Sequence, residues 1–181
     1  MLIIFFLFPN NKKESKQSAS ITIYNSVINQ YKTYLSNPPS NSSKHFPGLR
    51  DYGIGSFKRG YYAYYDINLD GTPELIFSAF LGKNKPTKFR DSVNASDLYA
   101  IWTVKNNKAT NLADGNLSGP WWISNNNYLC QSKSQSKWVP YKIRNGRLQR
   151  VNTKYRTIFG SKVNWTDKRY AKSQVTWYKL N

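Results

Sequence analysis

The chain has 181 residues, enough for one ordinary domain and too few for two once a polar N-terminal stretch is set aside. With 39% hydrophobic residues, Trp 6, Tyr 14 and Phe 9, it carries too much large apolar area to be intrinsically disordered. Lys+Arg of 27 against Asp+Glu of 9 gives +18, a field that repels cations and draws polyanions: nucleic acid, anionic lipid, or the phosphate-rich polymers of a bacterial wall. A Lys-rich surface that only keeps the protein soluble is the alternative.

Met1 to Phe8 reads Met-Leu-Ile-Ile-Phe-Phe-Leu-Phe and is followed by Pro9, two Asn and two Lys. Such a run is too short to span a bilayer. It reads as the back half of a signal-peptide core without its basic start, so we expect an exported protein. No lipobox cysteine is present, and a lipid anchor is not assigned. Residues 9–20 are polar and without periodicity, the composition of a tether. Segment 1–20 is therefore predicted as signal-like stretch and tether, and 21–181 as a single globular domain.

From there Tyr24, Val27, Ile28, Tyr31, Tyr34 and Leu35 recur at three- and four-residue spacing. The spacing predicts one helix with an apolar stripe, capped by Ser18 or Ser20 and stopped by Pro38-Pro39. Residues 36–60 read as loop, with Gly48, Gly53, Gly55 and Gly60. Aromatic and β-branched runs then predict strands at 61–67, 74–80, 98–104, 109–112, 121–123, 128–131, 138–143, 148–151 and 175–178. Asn145-Gly146 is the strongest hairpin signal, because both residues tolerate positive φ. The predicted fold class is α+β, an N-terminal helix packed on a mainly antiparallel sheet.

One segment concentrates acidic oxygen. Asp66-Ile-Asn68-Leu-Asp70-Gly71-Thr72-Pro-Glu74 places three of the nine acids within nine positions of a basic chain. Asp66, Asn68 and Asp70 alternate, Gly71 permits a sharp turn, and the Thr72 carbonyl and Glu74 carboxylate complete a set of hard oxygen ligands suited to calcium. The EF-hand pattern fails, since its twelfth position falls on Phe77 and the flanks are strands. The competing reading is a hairpin turn whose Asp and Asn side chains bond the loop backbone.

This strand–loop–strand pattern resembles the calcium loop of integrin-type FG-GAP repeats. The stretch Tyr62-Ala63-Tyr64-Tyr65-Asp66 through Ile76 resembles more closely a class of exported Gram-positive, Lactobacillus-like lipoproteins and surface proteins. Members of that class carry a signal, a polar tether, a helix and then such a loop. The resemblance implies an exported surface protein, for which no biochemical activity is generally assigned.

No catalytic constellation emerges. Cys130 is the only cysteine and His45 the only histidine. That excludes an intramolecular disulfide; Cys130 is expected as a core thiol, with a nucleophile pair of Cys130 and the sequence-distant His45 as the lesser alternative, and no Ser/His/Asp triad is recognisable around the one histidine. The acids outside the loop form no recognisable glycosidase pair, and no P-loop or dinucleotide fingerprint occurs. We therefore expect a non-enzyme, read as a monomer, with a secreted hydrolase of cell-wall polymers and a non-specific nucleic-acid binder as the rival readings. Basic residues interleave with aromatics at Lys137, Lys142, Arg144, Arg147, Arg150, Lys154 and Arg156, the candidate polyanion contacts. The same interleaving is what a half-buried strand with a charged outer face displays. For an exported protein the nearest polyanions are wall polymers and membrane head groups.

Overall fold

The computed structural model describes residues 11–37, 46–49, 60–79, 98–115, 121–123, 128–134, 137–151 and 176–180. Helix α1 (Asn11–Ser36) comes first. Strands β1 (Gly60–Tyr65), β2 (Glu74–Ala79), β3 (Leu98–Lys105), β4 (Lys108–Asp114) and β5 (Trp121–Ile123) follow. Strands β6 (Leu129–Ser134), β7 (Lys137–Arg144), β8 (Arg147–Arg150) and β9 (Trp177–Lys179) complete the order. Every pairing among the described residues is antiparallel, so the protein is α+β with a helix laid on an antiparallel sheet.

The helix begins at Asn11, inside the stretch expected to be a tether, and neither Ser18 nor Ser20 caps it. Ser20 Oγ donates back to the Gln17 carbonyl at 2.9 Å, and Thr22 Oγ1 donates to the Ser18 carbonyl at 3.2 Å. Both serines thus sit within the helix, and the Lys, Glu and Gln upstream are good helix formers despite lacking an apolar stripe. Ser20 is the first buried position among the described side chains. Asn37 closes the other end, donating its amide to the Thr33 carbonyl at 2.9 Å just before the two prolines.

Among the described residues, nine strands run in the order β8-β7-β6-β5-β3-β2-β1-β9, with β4 also paired to β3. One edge of β3 is therefore shared, Ala100 to Lys105 pairing with β4 and Leu98 with Trp121 of β5. Bulges in the β2–β3 and β3–β4 ladders bend the sheet where this sharing occurs. Two turns have positive φ at both central residues, Asn106 (50°) with Asn107 (57°) and Asn145 (50°) with Gly146 (63°). Each makes a two-residue hairpin whose twist matches its strands.

Alternation along β2 divides the core. Leu75 and Phe77 face the helix and join Tyr24, Val27, Ile28, Tyr31, Leu49, Tyr99 and Leu180. Ile76 faces the other way and joins Ala63, Leu98 and Ile101 with Trp121, Ile123, Leu129 and Ile143. The β5–β8 meander thus curls over the sheet face opposite the helix. Among the described residues, no helix is long and apolar enough to cross a membrane.

Tyr31 joins the layers on the helical side. Its ring stacks on Phe77 with centroids 3.8 Å apart and meets Phe46 edge-on at 4.5 Å. Its hydroxyl donates to the Pro47 carbonyl at 2.8 Å and accepts from Trp102 Nε1 at 3.2 Å. Tyr31→Phe leaves both partners without it at a buried position. We expect a loss of about 1–3 kcal/mol of stability by denaturant titration with an unchanged m value.

Candidate functional site

The segment from Asp66 to Pro73 links two strands in perfect register, since Tyr65 pairs with Glu74 at the mouth of the hairpin. Its backbone is organised from within. Asp66 Oδ1 accepts from the Asp70 amide at 3.0 Å, and Oδ2 from the Gly71 amide at 2.9 Å. Asn68 Oδ1 accepts from the Asp70 amide at 3.2 Å, and Asp70 Oδ1 from the Thr72 amide at 2.8 Å. Asn68 Nδ2 donates to Asp70 Oδ2 at 2.8 Å, so three of the four side chains expected as ligands ring one loop. Gly71 takes φ of 88°, as its turn position requires, and exposed Leu69 takes 61°.

Glu74 stands apart from that ring. Only 1% exposed, it accepts from the Ile67 amide at 2.9 Å through Oε2 and from Thr103 Oγ1 at 3.1 Å through Oε1. The carboxyl is turned under the loop, into the sheet face that carries Ile67 and Ile76. Asp66, Asn68 and Asp70 supply hard oxygens of the kind calcium takes, but like Glu74 they already accept from backbone amides, the bonding that the hairpin-turn reading expects. Among the described residues no three His, Cys, Asp or Glu side chains gather as a metal-ligating group. The loop exit is fixed from the helical side too, where Tyr24 donates its hydroxyl to the Pro73 carbonyl at 3.0 Å.

Burial pushes the Glu74 carboxyl up to about 8, reinforced by the charges of Asp70 and Asp66 and opposed by the bonds from Ile67 and Thr103. Glu74 is therefore a neutral acid at neutral pH, shielded from any dissolved substrate. The sequence had singled out Glu74 as an oxygen ligand, but its strand position only becomes a buried one once Thr103 of β3 lies beside it.

The basic candidates divide between the two faces of the β7–β8 hairpin. Register pairs Tyr141 with Arg150, Lys142 with Gln149, Ile143 with Leu148 and Arg144 with Arg147. Ile143 is in the core and Tyr141 and Leu148 pack on it, so Arg150 belongs to the inward-facing set while Lys142, Arg144 and Arg147 share the outer face. Arg144, Arg147 and Arg150 are exposed. The Lys142 ammonium sits 5.2 Å above the Tyr128 ring centre. Lys137 opens β7, and Lys154 and Arg156 lie outside the described residues, as does His45. Cys130 is buried in β6.

A carboxyl raised from the usual 4.5 to about 8 stays protonated in the folded protein while the unfolded chain ionises. Glu74 thus lends its full stability below about pH 4.5 and loses it as the pH rises to about 8. Measured in chelator, Glu74→Gln should flatten that fall, gaining on the order of a few kcal/mol relative to the parent across this window. Parallel thermal profiles of parent and variant would show instead that Glu74 ionises freely in the fold. No family model matches the chain, and no curated protein or solved structure matches it either.

Proposed function

We propose that the protein is an exported, non-catalytic binding module held at an anionic surface, a cell-wall polymer or membrane head groups, with the Asp66–Glu74 loop as a weak structural calcium site. The observation that carries this reading is where the acids go. Asp66, Asp70, Glu74 and Asp114 are the acids whose side chains are described, and each accepts a bond from a backbone amide. These four serve the fold, and the chain as a whole carries a formal net charge of +18, which favours anionic partners. Lys142, Arg144 and Arg147 share one outer sheet face, a geometry that grips phosphate or carboxylate groups without demanding a sequence of them.

The loop supports the calcium part through its oxygen set, Asp66, Asn68, Asp70 and the Thr72 carbonyl. Three side chains without a bidentate Glu bind calcium on the order of millimolar, as in extracellular modules. Such affinity suits a staple saturated outside a cell.

Two measurements test the reading. The protein should bind purified anionic wall polymer or acidic vesicles at low salt and elute as salt rises, whereas retention insensitive to salt would defeat electrostatic holding. Turnover of labelled wall polymer would make it a hydrolase. For the loop, about 10 mM calcium should raise the thermal midpoint by about 3–6 °C over chelator if Kd is ~1 mM, with magnesium inert. Asp66→Ala should abolish the rise, and its absence in the parent would reduce the loop to a turn.

A further inference from the structure

Two hairpin tips that are distant in sequence meet at one end of the curled sheet. The β3–β4 turn sets Lys105 directly opposite Lys108, and the β7–β8 turn sets Arg144 directly opposite Arg147. A Cβ built on Gly146 would lie 3.1, 3.2 and 3.3 Å from Cβ, Cδ and Cγ of Lys105, so the lysine stem runs along the neighbouring turn. Lys108, Arg144 and Arg147 are exposed, and Lys105 is half-buried at the seam.

Like charges set opposite each other across a ladder are unfavourable, and here two such pairs abut. The acids whose side chains are described are held by backbone amides elsewhere, Asp114 for example by the Gly48 amide at 2.8 Å. Nothing among the described residues forms an ion pair with these four cations. A bound polyanion removes the repulsion, and a linear one serves both pairs at once.

The chemistry at the tips also narrows the polyanion. Single-stranded nucleic acid is gripped by stacking bases on exposed rings beside the cations. Among the described residues the exposed large apolar side chains are Leu69, in the Asp66–Glu74 loop, and Tyr178, on β9, both on other elements. The half-buried Tyr128 ring carries the Lys142 ammonium 5.2 Å from its centre on one side.

We propose that the abutting tips form a phosphate clamp in which Lys105, Lys108, Arg144 and Arg147 bind neighbouring phosphates of a linear, base-free phosphodiester polymer. The clamp rests on the polyanion reading given above and names its site and its ligand class.

The test uses the full chain and synthetic poly(glycerol phosphate), with a single-stranded oligonucleotide of matched phosphate number as comparison. Binding is measured over a salt series for the parent, for Lys105→Gln with Arg147→Gln, and for a control that removes equal charge at exposed positions, Lys32→Gln with Lys179→Gln. The tip variant should lose about tenfold or more in affinity and about 2 in the slope of log affinity against log salt, one for each phosphate contact removed. It should also melt higher at low salt, because two like-charge pairs are relieved. The control should change affinity far less.

Equal weakening by both variants would overturn the clamp while leaving diffuse electrostatic retention intact. An oligonucleotide bound more tightly than poly(glycerol phosphate) would overturn the base-free assignment. A parent that binds neither polymer would overturn the polyanion reading and the clamp with it.

Discussion

The helix is fastened to the sheet by two rings whose polar ends must be satisfied away from water. Tyr24 and Tyr31 are both fully buried. They stand seven residues apart, about two helical turns, and so project from one face. The single proton of the Tyr24 hydroxyl is shared between the Pro73 carbonyl at 3.0 Å and the Trp102 carbonyl at 3.3 Å, while Tyr31 reaches Pro47 and Trp102 Nε1. Burying either hydroxyl without a partner costs about as much as a good core contact contributes. Rotation or sliding of the helix would break several of these bonds together, which sets its register more narrowly than apolar packing alone. The same bonds hold the turn at residues 46–49 against the sheet, where Gly48 at φ of 79° passes so close to Tyr99 that no side chain fits.

The loop between β1 and β2 inherits that rigidity. Its exit is held at Pro73 by the helix on one face, and at Glu74 by Ile67 and Thr103 on the other. The carboxyl carries a desolvation penalty when charged, which is why burial raises it to about 8 and why a proton accompanies folding at neutral pH. A neutral Glu74 keeps a further negative charge from the oxygens of Asp66 and Asp70. The loop is thereby fixed at its exit, and the carboxylates of Asp66 and Asp70 organise its backbone from within.

Charge follows the same separation of duties. The described acids organise backbone, whereas the described cations of β3–β4 and β7–β8 stand at turns and on the outer strand face. The bulges that bend the sheet let the β5–β8 meander fold across to pack Ile143 on the central strands. That packing is hydrophobic and non-directional, yet it carries Arg144 and Arg147 to the Lys105 turn. Apolar burial offsets the local electrostatic cost of setting these like charges close together.

The nine strands, the stripe of the helix and the Asn145-Gly146 turn were legible in the sequence because each rests on local rules: period-two alternation, three-to-four spacing, and residues that accept positive φ. The Asn106-Asn107 turn obeys the same rule and was there to be read. The start of the helix was not legible, since its polar first turns lack an apolar period and Ser20 turns its hydroxyl back into the helix. The loop was visible as a set of oxygens, because spacing alone puts Asp66, Asn68 and Asp70 on one short turn. That Glu74 leaves this set depended on Thr103 lying beside it, 29 residues along the chain. Likewise the basic residues could be counted in the sequence, but their division between faces and the meeting of Lys105 with the Gly146 turn came from strand register and sheet curvature. Composition and local pattern determined which elements form and what charge they bear. Tertiary packing decided which acid is buried and which cations are neighbours, because both depend on contacts between strands far apart in the chain.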